Sequence, residues 1–164
     1  MSIKALILDF DGVFTDNKVI CDSEGREAVV CSRADSLGIG MVNEIGIKLY
    51  VISSETNPVV ASRCMKMGIN YRKGVKNKLD VLKSWLEVNE VDPHEAIFVG
   101  NDVNDLQAME FVGFSIAVTG SHPDVLQIAD RVTGATGGNG AVREVCDLIL
   151  NGEIEDELNS DNSG

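Results

Sequence analysis

An apolar run that ends in aspartates constrains this 164-residue chain more than any other feature. Residues 3–8 read Ile-Lys-Ala-Leu-Ile-Leu, and Asp9 and Asp11 follow directly, with Gly12 behind them. Such a run predicts a buried parallel strand, whose carboxyl end is where open α/β sheets place their ligand sites. Because residues two apart in an extended segment share a face, Asp9 and Asp11 address one small volume.

Two carboxylates this close repel each other unless a cation lies between them or one of them carries a proton. The pair therefore predicts a divalent-metal site, an acid and nucleophile pair, or both. A structural alternative also fits the residues. Acidic side chains often form turns after a strand, and Gly12 supplies the conformational freedom that a turn requires.

Strand and helix patterns alternate along the chain up to residue 150. Residues 18–31 alternate around a central Asp-Ser-Glu-Gly and predict a β-hairpin. Further strands are predicted at 48–52, 69–71, 96–99 and 115–118, and helices at 35–46, 57–68, 77–88, 103–112 and 140–150. This order predicts an α/β fold with a doubly wound, mostly parallel, Rossmann-like sheet and a hairpin insertion.

Residues 1–150 are expected to form a single domain. Residues 151–164 carry five acidic residues and no basic one, which predicts an acidic, solvated C-terminal tail whose start is free to dock on a neighbouring subunit. The formal net charge of −12 argues against nucleic acid as a partner. A small anionic substrate stays possible, because a divalent ion and a few lysines reverse the field locally.

The expected location is the cytoplasm. No apolar run approaches the ~20 residues of a membrane helix, and the first residues show no charged and then apolar targeting pattern. The four cysteines form no CxxC pair and have no histidine at metal-ligand spacing, as in proteins of a reducing compartment. Neither a membrane nor a nucleic acid is therefore expected as a partner.

Polar residues follow four predicted strands or loops at the edge where such a fold gathers ligands. Taken singly, each has a structural explanation as a helix cap or a solvated side chain. Taken together they supply a carboxylate nucleophile, a general acid, a hydroxyl and an ammonium for phosphate oxygens, and an acidic loop for a cation, which phosphoryl transfer requires. The segments are Asp9 with Asp11, Ser53-Ser54-Glu55, Lys78, and the loop Gly100-Asn101-Asp102-Val103-Asn104-Asp105.

This ordered set resembles the motifs of the haloacid dehalogenase superfamily of phosphohydrolases, and the resemblance extends from residue 3 to residue 150. Most members carry a cap domain between the first and second motifs or between the second and third. Only 44 positions separate Asp9 from Ser53, and 25 separate Ser53 from Lys78, so no cap fits. A capless enzyme has an open site and takes its specificity from elsewhere, usually from a neighbouring subunit.

Within the superfamily, the chain is most similar to tetrameric capless sugar-acid phosphatases. These act on 3-deoxy-manno-octulosonate 8-phosphate (the KDO branch) or on 2-keto-3-deoxynononate 9-phosphate, a nonulosonate of the sialic acid type. A related domain is fused to some sialate cytidylyltransferases. The resemblance implies a homotetramer, a Mg²⁺ cofactor and a phosphorylated sugar-acid substrate, and it is carried by residues 8–13, Arg33-Ala34-Asp35-Ser36, 77–79, 99–102 and 137–144.

The resemblance also implies roles for the residues that match the motifs. Asp9 attacks phosphorus and forms an aspartyl-phosphate, and Asp11 protonates the departing alkoxide and then activates water. Ser53 and Lys78 hold the phosphoryl oxygens. This mechanism requires a protonated Asp11 beside an ionised Asp9, a difference that a metal bound to Asp9 promotes.

The resemblance implies that Mg²⁺ is held by Asp9, the carbonyl of Asp11 and one residue of the acidic loop. The family usually has an aspartate where Asn101 stands. An amide oxygen also binds Mg²⁺, but one negative charge is lost, and Asp102 or Asp105 is positioned in sequence to compensate. All three loop residues remain candidate ligands.

Specificity is predicted from the segment after the second motif. Glu55, followed by Arg63 and Lys66, resembles the nine-carbon branch, and Ser54 beside them is a further candidate substrate contact. Arg63 and Lys66 lie three apart and so share one helix face, which is either a patch for the carboxylate of a sugar acid or an ordinary solvated face.

We therefore expect a Mg²⁺-dependent phosphoric monoester hydrolase of the nonulosonate 9-phosphate type. The octulosonate 8-phosphate is the alternative substrate. Two other classes stay open: a weakened phosphatase retained as an oligomerisation or regulatory module of a cytidylyltransferase, and a receiver domain that stores phosphate on an aspartate. The receiver is disfavoured because Asp11 provides the means to hydrolyse the phospho-aspartate.

Overall fold

The computed structural model of the chain describes residues 2–161. Its eight strands are β1 Ala5–Leu8, β2 Ile20–Cys21, β3 Glu27–Ala28, β4 Lys48–Ile52, β5 Asn70–Arg72, β6 Ala96–Gly100, β7 Phe114–Thr119 and β8 Arg131–Thr136. Six of them form one sheet in the order β5-β4-β1-β6-β7-β8, in which all neighbours are parallel. Strands β2 and β3 form a separate antiparallel hairpin. The predicted doubly wound α/β fold with a hairpin is confirmed, and no cap domain lies within residues 2–161.

Seven helices cover the two faces of this sheet: α1 Arg33–Glu44, α2 Pro58–Met67, α3 Lys78–Val88, α4 Leu106–Phe111, α5 Pro123–Ile128, α6 Ala141–Leu150 and α7 Glu153–Asp161. Leu6 and Leu8 of β1 pack with α1, α2, α6 and α7, whereas Ala5 and Ile7 pack with α3, α4 and α5. All four β1 side chains are fully buried, as expected for a strand between two helical layers. None of the helices formed by residues 2–161 is long and apolar enough to cross a bilayer.

The central position of β1 determines where the candidate site lies. Leu8, its last residue, is in register with Val51 of β4 on one side and with Val99 of β6 on the other. The three strands therefore end together, and the residues after them meet at one edge of the sheet. Asp9 follows β1, Ser53 follows β4, and the acidic loop follows β6. The segment with Asp9 and Asp11 therefore lies between Ser53 and the acidic loop.

The C-terminal segment differs from the predicted solvated tail. Residues 153–161 form α7, which packs on α6 of the same chain, with Ile154 fully buried. A Glu155 carboxylate oxygen accepts the Ile3 N–H at 2.9 Å, and Glu157 pairs with Arg131. The prediction of a solvated tail was wrong for residues 153–161. It rested on the acidic composition of the segment, which does not reveal that the apolar side chain of Ile154 is buried. Residues 162–164 of the predicted tail lie outside the described residues.

A glycine loop before α6 packs directly on the backbone of the first motif. A Cβ added to Gly137 would lie 2.1 Å from the Gly12 carbonyl oxygen and 2.4 Å from that of Thr15. Gly138, which has a φ of 74°, would meet the backbone of residues 15–16. The glycines at 137 and 138 are therefore needed for close approach to the turn that carries Asp11.

We predict that Gly137→Ala lowers the free energy of unfolding by at least about 1–3 kcal/mol, because a methyl group inserted against backbone forces the two loops apart. Gly40→Ala is the matched control. Gly40 lies within α1 with nothing within 4 Å of an added Cβ, so the same change there should raise stability by about 0.5–1 kcal/mol. Urea unfolding measures both, and equal effects at the two sites would contradict the packing argument.

Candidate active site

A cavity of about 250 Å³ opens at the carboxyl edge of β1, β4 and β6. Four carboxylates line it, and no lysine or arginine does. The lining residues are Asp9, Asp11, Asn17, Ser53, Ser54, Glu55, Asn101, Asp102 and Asn104. An anionic phosphate ester is repelled from such a cavity unless a cation is bound in it.

Lys78 lies under the cavity and joins two of the predicted motifs. It is the first residue of α3, whose start is capped by the Asn77 side chain. Its Nζ is 2.8 Å from Asp9 Oδ1 and 2.7 Å from Asp105 Oδ1, and all three side chains are almost completely buried. Lys78 therefore binds the nucleophile candidate to the acidic loop.

One ammonium in this cluster faces two carboxylates, and the pKa values reflect that imbalance. Burial acts to lower the pKa of Lys78, but Asp9 and Asp105 outweigh it and hold the pKa above its ordinary value. Burial, together with the charge of Asp105, raises the pKa of Asp9 to about 7, with Lys78 only partly offsetting them. The raised pKa values favour the charged form of Lys78 and the neutral form of Asp9. Both follow from one negative charge that Lys78 leaves uncompensated, and a further cation would neutralise it.

Asp105 is fully engaged within the protein. Besides the contact with Lys78, its Oδ2 accepts the backbone N–H groups of Asn101 at 2.9 Å and Asp102 at 3.3 Å. Asp105 does not line the cavity and has no exposed surface. Asp105 was predicted as a candidate metal ligand, but the structure does not place it as one. One of its oxygens already holds Lys78, and the other holds the loop backbone.

Asn101 presents an unused ligand atom. Its side chain packs on Gly12, where an added Cβ would lie 1.9 Å from Nδ2. Its Oδ1 is buried and has no hydrogen-bond partner among residues 2–161. Asp102 differs, because its Oδ1 accepts the Val103 N–H at 2.7 Å as a helix cap. A buried, unpartnered oxygen beside two carboxylates fits a hard divalent cation.

The donor set for such a cation is mixed. Within residues 2–161 no three acidic, histidine or cysteine side chains converge into a metal-binding group. The available oxygens are the carboxylate of Asp9, the Asn101 amide, and the backbone carbonyl of Asp11 that the motif implies. Mg²⁺ suits this set, since it keeps several waters and needs few protein ligands.

Asp9 and Asp11 differ in their surroundings. Asp9 Oδ1 accepts the Phe10 N–H at 2.7 Å in addition to Lys78, whereas its Oδ2 makes no hydrogen bond within residues 2–161. Asp11 is half-buried, and burial, followed by the nearby charge of Glu55, raises the pKa of its carboxyl. The pKa values of both carboxyls are therefore raised, and the two groups differ in that Asp9 is oriented with one free oxygen, whereas Asp11 is only half-buried.

The segment after β4 contributes hydroxyl groups to the cavity. Ser53 is 1% exposed, and its Oγ accepts the Glu55 N–H at 3.1 Å. Ser54 Oγ accepts from the Asn104 side chain at 3.1 Å. The sequence prediction did not assign Asn104 or Asn17 to the site. Asn104 lies within the acidic loop that signalled the site, whereas no sequence signal singled out Asn17.

Arg63 and Lys66 do not line the cavity. Arg63 turns towards α1, where Nη2 donates to Ser36 Oγ at 2.5 Å and to the Ser32 carbonyl at 3.3 Å. Lys66 lies exposed one turn further along α2. The structure therefore brings Glu55 and Ser54 to the cavity but does not bring the two predicted cations there.

Comparisons with known proteins agree with this geometry. A haloacid dehalogenase-like hydrolase family matches residues 64–145. This chain belongs to that family. It is 38% identical over 150 residues to the 3-deoxy-D-manno-octulosonate 8-phosphate phosphatase of Escherichia coli, covering 91% of this chain and 80% of the relative. The predicted superfamily is confirmed.

Solved structures of the family superpose over most of the chain. One is the 3-deoxy-D-manno-octulosonate 8-phosphate phosphatase of Moraxella catarrhalis in complex with magnesium, phosphate and KDO, with a TM-score of 0.88, 34% identity, and coverage of 91% of this chain and 86% of that one. Another is the cobalt-bound octulosonate 8-phosphate phosphatase of Haemophilus influenzae, with a TM-score of 0.87, 31% identity, and coverage of 92% and 88%.

We predict that Lys78→Met lowers the free energy of unfolding by about 3–5 kcal/mol, because it leaves two buried carboxylates without their shared partner. Lys4→Met is the matched control. Lys4 forms a 2.7 Å ion pair with Glu95 at the surface, and its loss should cost less than about 1 kcal/mol. Both variants are compared by chemical denaturation without added metal, and equal losses would show that the buried cluster carries no special stability.

Proposed function

We propose that this chain is a phosphatase of sugar-acid phosphates that works through an aspartyl-phosphate on Asp9. The observation that carries the proposal is the Asp9 carboxylate itself. One oxygen is fixed by Lys78 and Phe10 N–H, and the other is free at the floor of an anionic cavity. The family is one of hydrolases, and the relatives described above are named as phosphatases, which supports the phosphoric monoester hydrolase predicted for this chain.

In the first step, the free oxygen of Asp9 attacks phosphorus as the bond to the sugar oxygen breaks. Asp11 donates its proton to that oxygen, so the sugar leaves as an alcohol. The raised pKa of Asp11 supports this role, because the group must carry a proton when substrate binds. Ser53, whose hydroxyl faces the cavity, donates to a phosphoryl oxygen.

In the second step, Asp11 is ionised and takes a proton from a water molecule. The resulting hydroxide attacks phosphorus, the bond to Asp9 breaks, and inorganic phosphate leaves with Asp9 restored as a carboxylate. Lys78 holds Asp9 in one orientation through both steps, because its 2.8 Å contact involves the oxygen that does not attack.

Mg²⁺ is the proposed cofactor, with Asp9, the Asp11 carbonyl and Asn101 as its protein ligands. When bound, it neutralises the cavity and withdraws charge from the phosphoryl oxygens. Asn101 is favoured over Asp102 and Asp105 because its Oδ1 alone among the three side chains is buried without a hydrogen bond within the described residues.

The substrate proposed is the phosphate of an eight- or nine-carbon keto sugar acid. Glu55 at the cavity rim supports the nine-carbon ester that the sequence favours. The relatives reported above are octulosonate 8-phosphate phosphatases, which supports the eight-carbon ester as the second candidate. Both esters have a phosphorylated terminal alcohol, so one mechanism serves either.

Phosphate release over a panel of sugar phosphates tests the proposal. We expect the eight- or nine-carbon keto acid phosphate to give the highest kcat/KM, and Asp9→Asn to abolish turnover, because an amide is not a nucleophile towards phosphorus. Asp11→Asn should lower kcat by roughly 10²–10⁴-fold, the share that proton transfer contributes. Activity of Asp9→Asn within tenfold of wild type would disprove the aspartyl-phosphate, and inactivity of the wild type on every ester would favour the regulatory-module alternative.

Calorimetric titration of Mg²⁺ tests the ligand assignment. Asn101→Ala should weaken binding at least tenfold, and Asn101→Asp should strengthen it by adding a charge. Asp102→Ala is the control, because its carboxylate caps the turn at residue 103, and we expect a change of less than threefold. A large loss in Asp102→Ala with none in Asn101→Ala would reverse the assignment.

We also propose that the chain forms a homotetramer through the β2–β3 hairpin. The hairpin is separate from the main sheet, and Val19, Ile20 and Val30 at its edges are 48%, 65% and 66% exposed. A two-stranded hairpin with exposed apolar side chains is marginal in water, which supports a second copy as the surface that covers it.

In sedimentation velocity, the wild type should therefore run as a single oligomer, and Ile20→Glu should dissociate it. Val88→Glu is the matched control, because Val88 is also apolar and is 82% exposed on α3, far from the hairpin in sequence. A wild type that is monomeric and fully active would contradict the proposed tetramer.

A further inference from the structure

The chain contains two Asn-Gly dipeptides, at residues 139–140 and 151–152. An asparagine that precedes glycine is prone to deamidation, because the next backbone nitrogen can attack the side-chain amide and glycine has no Cβ to hinder the approach. Both asparagines are exposed, both glycines have a positive φ, and nothing lies within 4 Å of a Cβ added to either glycine. Sequence and exposure therefore do not distinguish the two dipeptides.

The dipeptide at 151–152 is held by hydrogen bonds between α6 and α7. The Gly152 N–H donates to the Ile149 carbonyl at 3.1 Å, and the Gly152 carbonyl accepts the Asp156 N–H at 3.1 Å. The nitrogen that would attack Asn151 is thus already engaged as a donor. Turning it towards the Asn151 side chain requires the loss of this bond and a local opening of the junction between the two helices.

The dipeptide at 139–140 has no such restraint on its nitrogen. Gly140 directly precedes α6, and its N–H makes no hydrogen bond within residues 2–161. The Asn139 side chain is oriented by its own nitrogen, Nδ2, which donates to Thr136 Oγ1 at 3.0 Å and to the Gly137 carbonyl at 3.4 Å. The carbonyl carbon of this amide takes part in neither contact. The Gly140 nitrogen is therefore free to approach it without breaking a backbone hydrogen bond.

Asn139 lies at the junction between two parts of the structure that are both fixed. On one side, Gly137 packs on the backbone carbonyls of the first-motif turn with no room for a Cβ. On the other, the start of α6 is held by Asp35 of α1, whose Oδ1 accepts the Arg143 N–H at 3.0 Å. Glu144 adds two bonds to the backbone of β8, at 2.8 Å each. The short segment between these contacts has little freedom to absorb a change in chain length.

We propose that Asn139 is a site of spontaneous deamidation that limits the active lifetime of the protein. The Gly140 nitrogen bonds to the Asn139 Cγ, the bond from Cγ to Nδ2 breaks, and ammonia leaves with the proton that the Gly140 nitrogen loses. Water then opens the resulting cyclic imide, adding a hydroxyl to a carbonyl carbon and a hydrogen to the nitrogen. Cleavage between Cγ and the Gly140 nitrogen gives aspartate, and cleavage between the Asn139 backbone carbonyl carbon and that nitrogen gives isoaspartate.

Both products disturb the junction at residue 139. A carboxylate cannot donate the hydrogen bonds that Nδ2 makes to Thr136 and Gly137. It also adds a negative charge to a cavity that Asp16 lines and that shares part of its lining with the active-site cavity. Isoaspartate in addition inserts a methylene into the backbone between two fixed ends, and the displacement falls on the turn that carries Asp11. The chemical step is independent of the proposed function, and only the loss of activity rests on it.

Mass spectrometry of the full chain, aged with Mg²⁺ at mildly alkaline pH and digested at intervals, tests the site. In the folded protein we expect deamidation at Asn139 to be about 3- to 10-fold faster than at Asn151, the factor that one backbone hydrogen bond corresponds to. In urea, where both segments are unfolded, the two rates should converge. Faster reaction at Asn151 in the folded protein, or a ratio of rates that urea leaves unchanged, would overturn the assignment.

Turnover of p-nitrophenyl phosphate, measured on the same samples, tests the consequence. Activity should decline as isoaspartate at residue 139 accumulates, and Asn139→Gln should slow the decline, because a glutamine has to close a larger ring. Asn151→Gln is the matched control and should decline like the wild type. Full activity after complete conversion at Asn139 would refute the limit on lifetime. A wild type without initial activity would refute the proposed function and with it the limit on lifetime, whereas the masses would still confirm or overturn the site.

Discussion

The buried contact of Lys78 with Asp9 and Asp105 is the interaction on which the rest of the site depends. These three residues come from the end of β1, the start of α3 and the loop after β6, so a single ammonium fixes three separate segments relative to one another. Asp105 in turn orders the loop by accepting two backbone N–H groups. Burying charges is unfavourable, and this cluster offsets the desolvation penalty only because each oxygen that faces the interior has a hydrogen-bond donor.

The same cluster explains why the cavity requires a cation. Its single positive charge is used internally, and the surface that faces substrate carries only carboxylates, amides and hydroxyls. In a chain with a formal net charge of −12, the general field also repels anions. Under the proposed function, recognition of a doubly anionic ester therefore depends on a metal ion in the cavity, and we expect activity to be inseparable from metal occupancy.

Much of the fold follows from the sequence, because its long strands and capped helices have strong local signals. The apolar strands at β1, β4 and β6 and the Asn57-Pro58 start of α2 are examples. The elements that the sequence did not predict have weak local signals. Strand β8 is an edge strand with a single buried residue, α5 has only six residues, and α7 has only two apolar residues, Ile154 and Leu158. Their formation depends on tertiary packing, which composition does not reveal.

The site shows the same division. Motif order predicts that Asp9, Ser53, Lys78 and the acidic loop converge, because parallel strands end at one edge. It does not predict that Asp105 accepts a hydrogen bond from Lys78, or that Arg63 turns away to α1. The partners of such long side chains depend on the packed structure. Asn17 was missed because a left-handed asparagine in a turn has no distinctive sequence pattern.

The attachment of α7 has a consequence for the engineering of this protein. The Glu155 contact with Ile3 N–H places the last described helix beside the beginning of β1, at the amino edge of the sheet. The candidate catalytic groups lie at the carboxyl edge, a full strand length away. A circular permutant that joins these two segments and opens the chain in a surface loop elsewhere would leave the catalytic edge intact, which makes the scaffold suited to domain insertion.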